Sequence, residues 1–346
     1  MHVVHVTNRY VGGVKTAIEN LVSSNPDHEH YLVFISREGE IKTALDSAKF
    51  KSVQVLDFTN PIKLASSIRK LSSLWEADVI HAHSSWAGLY ARILRQKVDV
   101  LYQPHGIAFA NPKYGLIPRL ALNFVEYILC FRTAAFLAVG SYEMEIIKSM
   151  SPKSPVFLLR NWSNLERKKW KTNPTQNSKI IGVVGRICLE KDPEYFVQVA
   201  QCLRTISSKY TFRWIGAGEA DLTARLEGEG IDVTGWLSEL EVARELASLD
   251  FLVSSSKSEG MPFMLLDALN TGIPVFLRDI PAFTFENLPT YESPMDLALA
   301  IHSFDLAPDE NYLKSFQSFR ELSAKESLAG QYSTLLLKIS EQVNIK

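Results

Sequence analysis

Short apolar runs and longer amphipathic stretches alternate along this chain from its first residues. Runs at 3–6, 31–35, 53–56, 79–82, 100–103, 135–139 and 156–159 have the length and apolar character of buried strands. Between them apolar residues recur at helical spacing, as with Leu64, Ile68, Leu71 and Trp75. A polar stretch at 166–179 interrupts the pattern with charge, Pro and Asn, and reads as a linker. The alternation then restarts, with strands at 180–184, 212–215, 231–234, 251–254 and 275–277. Helices are expected near 193–206, 221–228, 239–248 and 262–270. From 326 to about 343, Leu328, Tyr332, Leu335, Leu336 and Ile339 mark one last helical face. Strands alternating with helices, twice over, predict an α/β protein of two doubly wound parallel-sheet domains. The expected bounds are 1–165, the linker 166–179, a second domain at 180–325, and a terminal helix at 326–346 that returns to the first domain.

The chain's 346 residues suit two domains of ordinary size, and 46% apolar content allows each a core. A formal net charge of −1 argues against a nucleic-acid partner. That balance hides an asymmetry: residues 1–165 carry 18 Lys/Arg against 13 Asp/Glu, and residues 166–346 carry 19 against 25. The first half is therefore the better suited to an anionic membrane or a phosphate-bearing acceptor. Cys130, Cys188 and Cys202 show neither metal spacing nor an even framework, which fits a reduced cytoplasmic protein. The first strand begins almost at Met1, so no signal peptide is expected ahead of it. The most apolar run, 116–139, is broken by Arg119, Glu126 and Arg132, and is not expected to span a membrane.

The chemistry-bearing stretch is S-E-G-M-P-F-M-L-L-D-A-L-N-T-G-I-P-V, at 258–275. It sets an acid, Glu259, beside Gly260, begins a helix at Pro262, and places a second acid, Asp267, within that helix. Proline suits a first helical turn because its missing N–H would be unpaired there. The N–H groups of Met261, Phe263 and Met264 would form the mouth of an anion site, aided by the helix dipole. Gly260 would let a ligand approach the backbone, and Asp267 would reach a second part of it.

This stretch resembles the signature of retaining glycosyltransferases of family 4, which have the GT-B fold: two Rossmann-like domains facing a central cleft. Their two glutamates are eight positions apart; here Glu259 and Asp267 keep that spacing with the second acid shortened. The resemblance implies that Glu259 lies against the donor sugar and that Asp267 holds ribose hydroxyls. It implies that Arg186 and Lys191, in V-V-G-R-I-C-L-E-K-D-P-E after a strand, stabilise the departing diphosphate. Asp192, where a glycine is usual, could cap the next helix. His105, in Q-P-H-G, faces the donor sugar in such enzymes, and Gly12-Gly13, ahead of a helix at 14–21, lies near the donor diphosphate. Lys15 adds charge there or is simply solvated. Gly216 and Gly218 allow nucleotide approach or make a plain turn. Trp236 and Leu237 belong to a loop that meets the nucleobase, with Trp236 as a pocket wall or as core.

His81 and His83 form an H-x-H pair on a strand, but no third ligand is apparent and no metal is expected. His83 is assigned to the acceptor side and His81 to structure. Asn161 reads as a turn residue, and Trp162 departs from the family's usual glycine. No Asp-x-Asp motif stands in a comparable place, so transfer without a metal or other cofactor is expected. The implied partners are a nucleoside-diphosphate sugar, UDP first and GDP next, and a glycan or lipid-linked saccharide acceptor. Residues 92–132 carry Arg92, Arg95, Lys97, Lys113, Arg119 and Arg132, interleaved with Leu116, Ile117, Leu120, Phe124 and Ile128. That pattern fits either a peripheral membrane surface or a core face with solvated charges. Two other classes share the architecture: a nucleotide-sugar 2-epimerase and a non-catalytic nucleotide-sugar binder.

Overall fold

The computed structural model describes residues 1–35, 47–57, 60–111, 113–171 and 178–343. The chain divides into two compact units, Met1–Trp162 with Lys325–Lys346, and Ser163–Ala324.

The first unit runs β1 (His2–Thr7), α1 (Gly12–Ser24), β2 (Glu29–Ile35), β3 (Ser52–Leu56), α2 (Pro61–Leu74), β4 (Val79–His83), α3 (Ser85–Ile93) and β5 (Asp99–Gln103). It continues with α4 (Leu116–Leu129), β6 (Ala135–Ala138), α5 (Ser141–Met150) and β7 (Val156–Leu158). Its seven strands lie in the order β3-β2-β1-β4-β5-β6-β7, all pairs parallel. Because side chains alternate across a strand, Val4, Val6, Ile80 and Ala82 fill one face, with Leu64 and Ile68 of α2. Val3, Val79, Leu101 and Leu137 fill the other.

The second unit runs β8 (Lys179–Val184), α6 (Pro193–Ile206), β9 (Tyr210–Ile215), α7 (Ala220–Gly228), β10 (Asp232–Val233), α8 (Glu239–Ser248) and β11 (Phe251–Ser254). Then come α9 (Phe263–Thr271), β12 (Val275–Arg278), α10 (Pro281–Thr284), β13 (Thr290–Tyr291), α11 (Pro294–Leu306) and α12 (Glu310–Leu322). Its sheet has the order β10-β9-β8-β11-β12-β13, again parallel. Strand order therefore reverses beside β1 in one sheet and beside β8 in the other, and such switch points are where open α/β sheets bind ligands. Local chemistry sets the helix ends. Ser238 and Glu241 close a capping box on α8, Pro193 opens α6, and Gly272 ends α9 in the left-handed conformation.

The terminal helical pattern is two helices, α13 (Lys325–Leu328) and α14 (Gln331–Val343), divided at Gly330. Leu328, Tyr332, Leu335, Leu336 and Ile339 pack on the Val3–Val79–Leu101 face of the first unit. Of the expected linker, residues 172–177 lie outside the described residues. Its earlier part lies along the second unit, where Lys168 N–H donates to the Asn270 carbonyl at 2.7 Å and Lys171 N–H to that of Gly272 at 2.6 Å. Among the described residues no helix is long and apolar enough to cross a membrane.

Candidate functional site

In the second unit the loops after β8 and β11 leave adjacent strands at the switch point and are tied together. Lys257 N–H donates to the Glu190 carbonyl at 2.9 Å, and the Ser255 hydroxyl donates to the Lys191 carbonyl at 2.5 Å. Across this tie Lys191 Nζ lies 2.5 Å from Glu259 Oε1. Gly185 turns the chain there with φ +149°, and a Cβ on it would crowd Lys191 Cε at 3.2 Å. Arg186 is exposed and carries no ion pair among the described residues. Asp192 does not cap α6 with its side chain; its carboxylate instead meets Arg278 Nη1 at 2.6 Å and Lys257 Nζ at 3.3 Å.

Helix α9 starts one residue later than expected, with Pro262 extended at the N-cap and no side chain capping the end. Gly260 is half-buried and Met261 and Met264 are buried beside it, with Phe263 half-buried. Asp267 is largely enclosed; burial pushes its carboxyl up to about 6 against the opposing hydrogen bond from Ser163.

Gly216 and Gly218 permit a close approach of two loops. Their missing side chains let the β9 loop lie against the β8 loop: a Cβ on Gly216 would sit 2.2 Å from the Gly185 carbonyl oxygen, and one on Gly218 1.9 Å from that of Ile187. Backbone bonds from Ile187 N–H to Ala217 O and from Glu219 N–H to Ile187 O join the two loops at 2.9 and 3.0 Å. Trp236 is 75% exposed, which excludes the core reading, and Leu237 is half-buried.

In the first unit Gly12 and Gly13 are exposed and form the first residues of α1 rather than a turn before it, Gly12 with φ +56°. Lys15 Nζ stands 3.7 Å from Glu19 Oε1. His105 follows β5 with φ +54°, a conformation non-glycine residues rarely adopt. The turn is held from below by Glu143, whose carboxylate accepts from Gly106 N–H at 2.8 Å and Val139 N–H at 2.7 Å. Burial pushes the Glu143 carboxyl up to about 7 despite those two bonds.

His83 is fully buried and lines no open surface, contrary to its assignment to the acceptor side. It is one member of a histidine cluster on the α14 side of the sheet. His5 Nδ1 lies 3.0 Å from His83 Nε2, and His81 Nδ1 lies 2.8 Å from the Tyr332 hydroxyl. His5 is thus the third nitrogen that the H-x-H pair lacked in sequence; ligand atoms of His5, His81 and His83 all fall within 4.8 Å of one another. Two of the three are already hydrogen-bonded to each other, and burial holds all three rings well below the usual imidazole pKa.

A family model described as Glycosyltransferase Family 4 matches residues 11–167, and one described as Glycosyl transferases group 1 matches residues 178–300. Together they take in most of the chain and both units. The chain belongs to the family 4, group 1 glycosyltransferases. An uncharacterised 41.2 kDa protein in the cps region of Klebsiella pneumoniae is 28% identical over 296 residues, 81% of each chain. The UDP-Gal:alpha-D-GlcNAc-diphosphoundecaprenol alpha-1,3-galactosyltransferase of Escherichia coli is 25% identical over 243 residues, 63% of this chain and 62% of that one. Among solved structures, sucrose-phosphate synthase from Thermosynechococcus elongatus superposes with a TM-score of 0.79 at 12% identity, covering 99% of this chain and 100% of that one. The fold is GT-B, two parallel-sheet α/β domains, and the protein is an enzyme. The transferase is thereby selected from the three classes that the sequence left open.

Three features of this glycosyltransferase escaped the sequence. Glu143 lies in an ordinary amphipathic helix, and only its distance to Gly106 reveals it as the brace of the His105 turn. His5 and His30 sit in apolar strands where a lone histidine carries no signal. Arg92 was counted as surface charge, yet it is fully buried, 2.8 Å from Glu126 and stacked on Tyr102 at 3.8 Å. Arg119 and Arg132 also bond backbone carbonyls, those of Phe109 and Arg92.

Proposed function

We propose that this protein is a retaining, metal-independent glycosyltransferase that moves a sugar from a nucleoside-diphosphate sugar to a glycan or lipid-linked saccharide. UDP is the first candidate nucleotide and GDP the next. The observation that carries this reading is the Lys191–Glu259 pair at the switch point of the second sheet, beside the uncapped start of α9. A cation, an acid and a helix N-terminus within one loop cluster are the parts needed to hold a diphosphate and an adjoining sugar.

In the proposed reaction the bond between the sugar's anomeric carbon and the β-phosphate oxygen breaks, and its electron pair stays on the diphosphate. Lys191 and Arg186 stabilise that charge, with the N–H groups of Phe263 and Met264 at the helix start. Glu259 binds a sugar hydroxyl and stabilises positive character at the anomeric carbon. The acceptor hydroxyl oxygen bonds to that carbon on the face being vacated, and its proton passes to the departing phosphate oxygen, so the configuration is kept. Asp267 serves the ribose, through water where its shorter side chain falls short. Gly12, Gly13 and Lys15 serve the diphosphate end, Trp236 and Leu237 the base, and His105 the sugar.

The acceptor proposal rests on α4. Leu116, Ile117, Leu120, Phe124 and Ile128 are 71, 81, 59, 64 and 50% exposed, and Phe131 just beyond is 80% exposed. That sets aside the core reading of this face and gives a continuous apolar strip suited to the acyl boundary of an anionic bilayer. Exposed Lys113, three residues ahead of α4, supplies nearby charge. A lipid-borne acceptor at the inner face of a cytoplasmic membrane fits that strip; the E. coli relative's name prints a diphosphoundecaprenol-linked sugar as the acceptor of that protein. The test is transfer from UDP-Gal, UDP-Glc, UDP-GlcNAc and GDP-Man to a diphosphate-lipid sugar, with the product linkage read by NMR. An α-linkage from an α-donor, formed in EDTA, supports the reading; an inverted linkage or release of free sugar alone contradicts it.

A further inference from the structure

The cluster in the first unit contains a continuous ladder of four imidazoles. His30 Nε2 lies 3.0 Å from the carbonyl oxygen of Asn25. His30 Nδ1 lies 3.0 Å from His5 Nε2, His5 Nδ1 3.0 Å from His83 Nε2, and His83 Nδ1 3.0 Å from His105 Nε2. The sheet builds the inner part of the ladder: in parallel register His5 lies beside His81 and Thr7 beside His83, so alternate residues of β1 and β4 present their rings to one face.

The direction of every bond in this ladder follows from its first member. A carbonyl only accepts, so His30 Nε2 carries the proton, and a neutral ring then has only Nδ1 as acceptor. His5 must therefore donate from Nε2, which leaves its Nδ1 to accept from His83 Nε2–H. His83 Nδ1 must in turn accept from His105 Nε2–H. Burial keeps the rings neutral, since each additional charge would be placed among its neighbours without water. The reverse polarity would aim a lone pair of His30 at the Asn25 oxygen. At the far end, His105 Nδ1 has no protein partner among the described residues, and His105 is only half-buried.

We propose that this ladder fixes the tautomer of His105, making its Nδ1 a permanent hydrogen-bond acceptor for a hydroxyl of the sugar substrate. His83, His5 and His30 are then positioning residues, and the Asn25 carbonyl sets the polarity for the whole row. The sugar as ligand rests on the function proposed above; the tautomer does not. A sugar hydroxyl in this place donates, so an analogue with fluorine there loses the bond while one with an amine keeps it.

The experiment uses the full chain labelled with 15N-histidine, with imidazole two-bond 15N–1H correlations assigned from single variants. His30, His5, His83 and His105 are expected as neutral Nε2–H tautomers at neutral pH without any ligand. His105 found as Nδ1–H or as imidazolium overturns the proposal. So does one equivalent of zinc found in the purified protein and lost in His5→Gln, because a metal would replace the ladder's protons.

Two variants test function. In His30→Gln the amide can donate to Asn25 and accept from His5, so polarity and kcat/KM stay close to wild type. In His30→Leu the anchor is gone; His105 is expected as a mixture of tautomers and kcat/KM falls about tenfold. Equal losses in both variants, with the His105 tautomer unchanged in the folded His30→Leu protein, overturn the positioning role. Correct tautomers with no response of any sugar donor to these changes would instead fault the assignment of the ligand.

Discussion

The ammonium of Lys191 rests 2.5 Å from Glu259 Oε1, joining the loops that leave two neighbouring strands of the second sheet. The pair is partly open, with side chains 22 and 13% exposed, so it can exchange partners when a ligand arrives. Glu259 neutralises Lys191 in the free enzyme and competes with a diphosphate for it. Lys191→Ala should weaken binding of a nucleoside diphosphate by about tenfold to a hundredfold, the worth of a hydrogen bond to a charged group. Glu259→Gln should leave diphosphate binding equal or tighter while turnover falls by roughly two to three orders of magnitude. Titration of nucleotide and turnover on the same preparations separates the two. Weaker nucleotide binding in Glu259→Gln would show that the carboxylate holds the loop rather than the sugar.

The close approach of the β8 and β9 loops gives a test of the glycines. Gly218→Ala puts a methyl 1.9 Å from the Ile187 carbonyl oxygen, so the loops must part. The expected cost is about 2–3 kcal/mol, the scale of overpacking in a tight interior. Gly12→Ala meets nothing within 4 Å and keeps only the strain of φ +56°, roughly 1 kcal/mol. Urea unfolding of the two variants should rank them in that order.

Acid should unfold the first unit through its histidines. His5, His81 and His83 sit well below the usual 6.5, and His30 at about 4, all chiefly because of burial. A base with a lowered folded pKa stabilises above its unfolded value and loses that contribution as pH falls toward the folded one. Each ring that charges only on unfolding costs about 1.4 kcal/mol per pH unit below 6.5. Glu143 acts in the opposite sense: raised to about 7, it stabilises most below 4.5, and that share is lost as pH rises through 7. With His105 also lowered, to about 3, these rings outnumber the one raised carboxyl and predict falling stability from pH 6.5 downward, read by denaturant unfolding at several pH values. Constant stability between pH 7 and 5 would contradict neutral burial of these rings.

Helix α4 should carry the membrane contact. Ile117→Glu with Phe124→Glu should abolish sedimentation with vesicles of mixed anionic and zwitterionic lipid and leave transfer to a soluble acceptor intact. Both positions are exposed, so the fold should lose little stability. Vesicle binding that survives both changes would place the contact elsewhere.

The sequence carried the strands well because parallel strands buried on both faces are compact apolar runs, and the expected 251–254 strand is β11 itself. It missed β13, where Thr290–Tyr291 make a two-residue edge too short to leave a period. It assigned Lys191 and Glu259 to one site through the family resemblance, and the loops after the neighbouring strands β8 and β11 bring the two side chains into contact. It could not see that Arg92 is buried, because the partner that neutralises it, Glu126, lies 34 residues away. The histidine ladder was equally hidden, since its members come from β1, β2, β4 and the β5 turn and meet only once the sheet has formed. Exposure of the α4 strip was illegible for a related reason: amphipathic spacing shows that a helix has an apolar face, and not what covers it.

Calorimetric titration of the wild-type chain with UDP and, separately, GDP asks whether the donor socket exists. At ligand about a hundred times its dissociation constant, binding should also add roughly 2.7 kcal/mol of stability. Saturable one-site binding of UDP, unaffected by EDTA, is expected. Absence of binding by either diphosphate, or binding only when a divalent metal is added, would contradict a donor socket made from Arg186, Lys191 and the start of α9.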